Sequence, residues 1–267
     1  MDITVQDFSG VYDCQPFMQG LRKCAQGSAS QGAKIRWMDC TGIPGTDCYC
    51  DDEAVEAIRK GIADAGITDA RGIHFFDNGN YHYMSKIWTG MVQEPFSLVV
   101  FDHHPDMQEP RFGGILSCGG WVLEVLKCNP FVQSVALIGV ADHLVDEIRA
   151  EISQTDEAHV LDKVTFIKES ELRKTDTPPS FSRPSTLYIS IDKDALAPAY
   201  AATNWDQGSL STEALKSIIA GLAASHRILG IDICGERARD IEDSRADALN
   251  SELNCELAEF LAPFAAS

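Results

Sequence analysis

Basic side chains are scarce in this chain: 22 Lys and Arg stand against 40 Asp and Glu, a formal charge of −18. Binding to phosphate backbones or anionic lipid surfaces needs clustered cations, so nucleic acid and membranes are excluded as general partners. No apolar run approaches the ~20 residues of a membrane-spanning helix. The stretch Met1-Asp2-Ile3-Thr4-Val5-Gln6-Asp7 has neither the basic segment nor the apolar run of an export signal, and the expected location is the cytoplasm. Nine cysteines are present, yet none forms a CxxC pair, which argues against zinc ribbons and thioredoxin-type redox sites. Cys48-Tyr49-Cys50 is too tight for the usual zinc spacing and reads as two thiols in one loop. The scattered cysteines, Cys118 excepted, are expected to be reduced, small, apolar core residues. Internal repeats and low-complexity segments are also missing.

What is present is an ordinary globular composition, 45% apolar and 23% charged, on a chain of 267 residues. That length buries a large core without disulfides and suits one α/β domain covering residues 1–267. Short β-branched and aromatic runs predict strands at Ile3–Phe8, Lys34–Met38, Gly72–Phe76, Ser97–Phe101, Val132–Gly139, Val164–Ile167, Leu187–Ile191 and Ile228–Ile231. Several are almost wholly apolar, as strands covered on both faces are. Helical patterns lie between them at Asp52–Ala65, Trp121–Lys127, Val145–Ile152, Ser211–Ala224 and Asn250–Phe264. Leu215, Ile218, Ile219 and Leu222 follow the i, i+3, i+4, i+7 rule, with Ser211 as N-cap. The alternation predicts an α/β fold: a mostly parallel sheet of about eight strands with helices on both faces. The proline-bearing stretch Lys174–Ser185 reads as a surface loop.

The informative segments sit just past strand ends. Phe101 leads into Asp102-His103-His104-Pro105-Asp106, and Ile191 into Asp192-Lys193-Asp194. Residues two apart in extended chain share a face, so Asp102, His104 and Asp106 can converge, as can Asp192 and Asp194. In open α/β sheets, ligands bind outside the carboxyl ends of the strands, where both clusters fall. Four gathered carboxylates repel one another unless a cation offsets them. Mixed carboxylate and imidazole ligation suits Mn²⁺, Fe²⁺ or Zn²⁺. The plainer alternative is that these acids cap turns or pair with Lys193 and Arg111. A further imidazole, His82, follows the strand at Gly72–Phe76, and another strand end brings Asp232 and Glu236 to the same side.

These segments resemble the arginase, agmatinase and formimidoylglutamase (ureohydrolase) superfamily. Asp102-His103-His104-Pro105-Asp106 is similar to its D-A-H-x-D motif, and Ser190–Ala201 to its S-x-D-x-D-x-x-D-P-x-x-A-P motif. Gly79-Asn80-Tyr81-His82 takes the place of G-G-D-H, and Gly230–Glu236 that of G-x-D-x-x-E. The resemblance implies a three-layer αβα sandwich and two Mn²⁺ ions, with Fe²⁺ or Zn²⁺ as alternatives. It further implies a small-molecule substrate and a homo-oligomer, trimeric or hexameric. By position, His82, Asp106, Asp102 and Asp192 would hold one metal. His104, Asp194, Asp102 and Asp192 would hold the other, so that Asp102 and Asp192 bridge. A hydroxide between the metals would attack the sp² carbon of a guanidinium or amidine.

The chain departs from the family around the substrate. Ala197-Pro198 replaces D-P, Tyr81 replaces the G-G-D-H aspartate, and Cys118-Gly119 aligns with a proton-shuttling His-Gly. The guanidinium-binding Glu falls at Gly235, leaving Glu236 as the nearest acid for that role. Cys118 reads equally as a proton-transfer residue or a plain loop thiol, and Arg111 as the anchor of a substrate carboxylate or the partner of a surface acid. The leading expectation is a binuclear manganese hydrolase of a guanidino or amidino C–N bond. The alternatives are a catalytically weakened relative that binds metal and ligand, and a deacetylase-like amidohydrolase.

Overall fold

The computed structural model of the protein describes residues 2–27, 34–110, 113–172, 185–240 and 242–265. Its strands are β1 (Asp2–Asp7), β2 (Lys34–Asp39), β3 (Tyr49–Cys50), β4 (Ile73–Phe75), β5 (Phe96–Phe101), β6 (Leu116–Ser117), β7 (Val132–Val140), β8 (Val164–Lys168), β9 (Thr186–Asp192) and β10 (Arg227–Cys234). Its helices are α1 (Pro16–Gln26), α2 (Asp52–Asp64), α3 (Met84–Thr89), α4 (Trp121–Cys128), α5 (Asp142–Ile152), α6 (Glu169–Leu172), α7 (Thr212–Ala223) and α8 (Ser244–Leu261).

Eight strands form one sheet in the order β2-β1-β4-β10-β9-β5-β7-β8, and every neighbouring pair is parallel. Period-two alternation sends successive side chains to opposite faces. Leu98 and Val100 of β5 therefore pack with Ile58 of α2, Trp88 of α3, Leu123 of α4 and Ile148 of α5. Val99 and Phe101 pack on the other face with Met18 of α1, Ile218 of α7 and Leu257 of α8. This is the three-layer αβα arrangement. Both faces are dry, which explains strands such as Phe96–Phe101 that are buried at every position.

Helix starts follow capping chemistry. Asp51 accepts from the Ala54 N–H at the start of α2, and Ser211 from the Ala214 N–H at the start of α7. α8 begins six residues before the expected Asn250, capped by Asp243, which accepts from the Arg245 and Ala246 N–H groups. Its inner face buries Asp247, Asn250 and Asn254 beside Leu253 and Leu257, so its hydrophobic period is interrupted. α1 opens on Pro16, whose missing N–H costs nothing in a first turn. The antiparallel pair β3–β6 is too short to leave a sequence pattern. Of the proline-bearing stretch 174–185, residues 174–184 lie outside the described residues.

Candidate metal centre

β9 lies between β10 and β5, and the register sets Phe101 beside Ile191. The next residues, Asp102 and Asp192, consequently emerge side by side where the strands end. Backbone hydrogen bonds then fold each chain back toward its own carboxylate. Asp102 Oδ1 accepts from the His104 N–H at 2.6 Å, and Asp192 Oδ1 from the Asp194 N–H at 2.9 Å. Asp194 Oδ1 accepts from the His103 N–H at 3.0 Å, which ties the two loops together. Asp106 sits at φ 48°, a left-handed conformation that short polar side chains tolerate best. Trp121 Nε1–H, from the first turn of α4, donates to Asp106 Oδ2 at 2.7 Å.

His82 projects from the short helical turn after β4 and is 1% exposed. Its Nδ1 has three carboxylate oxygens around it: Asp106 Oδ2 at 3.0 Å, Asp102 Oδ2 at 3.1 Å and Asp192 Oδ2 at 3.5 Å. None is aligned for a hydrogen bond, so Nδ1 is a buried polar atom without a partner. Nε2 of the same ring meets Ser190 Oγ at 2.9 Å, and Ser190 Oγ meets Ser85 Oγ at 2.9 Å. That bond leaves Nδ1 to face the carboxylates. A second group joins Asp102, His104 and Asp194. His104 Nδ1 lies 3.0 Å from Asp194 Oδ2 and 3.5 Å from Asp102 Oδ1, while its Nε2 lies 3.1 Å from Asp206 Oδ1.

The electrostatics are those of too much negative charge in too little water. Burial first, and then the charge of Asp194, push the Asp192 carboxyl up to about 7. Burial and the charge of Asp102 push Asp194 up to about 6. Burial lowers the His82 imidazole, yet Asp102 and Asp106 outweigh it and hold the ring well above its usual range. The cluster therefore gathers positive charge, by binding protons or a cation. Lys193 does not supply it: its ammonium contacts Glu236 Oε1 and Asn254 Oδ1 instead. With two imidazoles and four carboxylates converging, and Nδ1 of His82 unpartnered among oxygens, the residues fit divalent cations of borderline hardness.

Asp102, His104, Asp106, Asp192 and Asp194 line a cavity of about 290 Å³. Its walls include Gln108, Cys118, Gly119 and Trp205, with Glu147 and Glu151 of α5 at the rim. Cys118 stands in the wall beside Cys48, which lines it too. Its thiol hydrogen-bonds the Cys48 thiol, which holds Cys118 far above and Cys48 below the usual thiol range. Glu236 is placed differently from the expectation. Its oxygens meet Lys193 and accept from Gln15 Nε2, Asn250 Nδ2 and Asn254 Nδ2, and it does not line the cavity. A substrate cation at Glu236 would have to displace a buried ammonium, so the structure corrects that assignment. Arg111, the expected carboxylate anchor, lies outside the described residues.

Several site residues escaped the sequence reading. Ser190 stood inside a quoted motif and could have been found there, two residues before Asp192 on the same face. Cys234 likewise stood inside the Gly230–Glu236 segment, two residues past Asp232, whereas Trp205 and Asp206 lay in a loop with no matching motif. Cys234 pairs in register with Asp192, and its Sγ lies 3.2 Å from Asp192 Oδ2.

Comparison with known proteins agrees with this fold. The model of the Arginase family matches residues 31–252. An uncharacterized protein of Thermotoga maritima is 28% identical over 235 residues, covering 88% of this chain and 79% of its own. Among solved structures, proclavaminate amidino hydrolase from Streptomyces clavuligerus superposes with a TM-score of 0.63 at 15% identity, covering 99% of this chain and 91% of its own. A triple mutant of the T. brucei arginase-like protein bound with Mn²⁺ superposes at 0.57 and 17% identity, with coverage of 99% and 90%.

Proposed function

The chain belongs to the arginase family, and on that premise we propose that it is a metal-dependent hydrolase of a non-peptide C–N bond in a small guanidino or amidino compound. The observation that carries this reading is His82 Nδ1, buried, unpartnered and surrounded by the oxygens of Asp102, Asp106 and Asp192. A chain with no use for a cation would not keep three buried acids around such an atom, because like charges without a partner are costly to bury.

In this reading His82 and Asp106 would hold one ion and His104 and Asp194 the other, with Asp102 and Asp192 available to either. Divalent cations held there, Mn²⁺ by likeness to the Mn²⁺-bound mutant of the arginase-like protein, would supply Lewis acidity that makes water nucleophilic near neutral pH. Ser190 accepts from His82 Nε2–H and Asp206 from His104 Nε2–H, so each imidazole presents Nδ1 to the centre. Glu147 and Glu151 give the mouth of the cavity a negative field, which draws in a cationic guanidinium or amidinium. Cys118, in the cavity wall, would pass a proton to the departing amine. Arg111, by its place in the sequence, anchors a substrate carboxylate. We assign the activity to one domain spanning 1–267, in a cytoplasmic homo-oligomer.

The test is metal content after purification without chelator, followed by turnover of guanidino, amidino and acyl-amine panels with added Mn²⁺, Fe²⁺ or Zn²⁺. Two ions per chain and release of urea or ammonia from a guanidino or amidino compound are expected. Turnover confined to acyl-amines, or a chain that takes up no metal, would overturn the reading. Arg111→Met on the substrate found should weaken kcat/KM for carboxylate-bearing members only.

A further inference from the structure

Nine cysteines are spread over this chain, and one stands inside the cluster just described. Cys234 is the last residue of β10 and is 1% exposed. Strand pairing places it directly beside Asp192, so its position is set by the sheet and not by a loop. A ring nitrogen of His82, a carboxylate oxygen of Asp192 and Cys234 Sγ all lie within 4.8 Å of one another. Independently, His82 Nδ1 is buried without a hydrogen-bond partner. A nitrogen, an oxygen and a sulfur thus converge on one point inside the protein.

We propose that Cys234 is a ligand of the ion held by His82 and Asp192. That half of the centre is then a mixed nitrogen, oxygen and sulfur site. The inference rests on the metal-dependent reading above and extends it. Binding removes the Sγ–H proton to solvent and forms the metal–sulfur bond in its place. Thiolate is a soft ligand and favours Zn²⁺ or Fe²⁺ over Mn²⁺. The other group, Asp102, His104 and Asp194, offers only oxygen and nitrogen. The two halves therefore differ in softness, and the chain selects a thiophilic ion at the His82 half and a harder one at the His104 half. The competing role for Cys234 is a thiol that merely donates to Asp192 Oδ2 at 3.2 Å.

The experiment strips the full chain with chelator and titrates it with Co²⁺ alone, following bound metal and absorbance together. A thiolate-to-cobalt charge-transfer band in the near ultraviolet is expected, lost in Cys234→Ser and retained in Cys118→Ala. The zinc-loaded protein should show a sulfur scatterer at about 2.3 Å by X-ray absorption. Zn²⁺ affinity should fall by at least about tenfold in Cys234→Ser, the smallest loss typical even of partners one layer beyond the ligands. Mn²⁺ affinity should fall less. Stoichiometric cobalt without the band overturns the proposal and leaves the metal-dependent reading intact. A band that survives in Cys234→Ser also overturns it. Failure to bind any cobalt overturns both readings. The wild-type spectrum decides the first case, so a folding defect in the variant does not blunt the test.

Discussion

Lys193 and Glu236 form an ion pair closed to solvent: Nζ meets Oε1 while the two side chains are 0% and 1% exposed. Asn254 joins both partners, and Gln15 and Asn250 use the remaining oxygen of Glu236. The pair ties the segments that follow β9 and β10 to Asn250 and Asn254 of α8. Glu236→Ala leaves a buried ammonium without its counter-charge, and removal of one partner of such a pair costs about 3–5 kcal/mol. Urea denaturation should show that loss. KM of the protein that remains folded should stay near its original value, because Glu236 does not face the cavity.

Asp102→Ala and Asp192→Ala should each abolish tight binding of both ions, whereas His82→Asn should remove one ion and leave the other. Saturating metal stabilises a native state by mass action, about 2.7 kcal/mol at a hundredfold excess over Kd. The thermal shift on adding Mn²⁺ or Zn²⁺ should therefore vanish in the aspartate variants and be halved in number of ions, by metal analysis, in the histidine variant. Unchanged stoichiometry in all three would remove these residues from the centre.

Ser190→Ala should weaken metal affinity roughly 10–100-fold, the usual effect of removing the partner that orients a ligating imidazole. Ser190 Oγ hydrogen-bonds His82 Nε2 and Ser85 Oγ, so its loss leaves the ligand count intact. Isothermal titration with the metal separates this outcome from that of His82→Asn, in which stoichiometry falls.

Stability should depend on pH through a carboxyl remote from the centre. Burial, and then the charge of Asp77, push Asp7 up to about 7. Between its unfolded value near 3.8 and about 7 the folded chain binds the extra proton, so this group makes folding less favourable as pH rises through that window. Asp7→Asn keeps an oxygen for the Gly10 N–H, which Asp7 Oδ1 accepts at 2.8 Å, and removes the charge. Unfolding midpoints measured from pH 4 to 8 should fall less steeply in the variant, with the largest gain over wild type above pH 7. Parallel profiles would show that Asp7 does not titrate in that window.

Cys48 should react with iodoacetamide ahead of Cys118 near neutral pH. The hydrogen bond from the Cys118 thiol holds Cys48 below the usual range, and the thiolate is the reactive form. Peptide mapping of partly labelled protein checks the order. In Cys118→Ala the labelling of Cys48 should slow, since its donor is gone.

Much of this architecture follows from local pattern. The apolar runs ending at Phe101 and Ile191 specify strands covered on both faces, and acids placed just beyond such runs must lie at the carboxyl edge of a parallel sheet. Spacing by two then puts Asp102 with His104 and Asp192 with Asp194, so the centre was legible once the strands were. The start of α8 was not, because its buried face carries Asp247, Asn250 and Asn254, whose partners Arg237, Ala202, Glu236 and Gln15 reach them only after folding.

Sequence alone determined the alternation of strands and helices, the acidic balance and the residues that meet at the sheet edge, because each depends on neighbours a few positions away. Tertiary structure decided which distant residues touch. The register of β10 on β9 places Cys234 beside Asp192, 42 positions away, and the β3–β6 pairing brings Cys48 to Cys118. The same docking turns Glu236 toward Lys193 and away from the cavity. Register and helix docking are set by how whole faces pack against one another, and that information is spread along the entire chain.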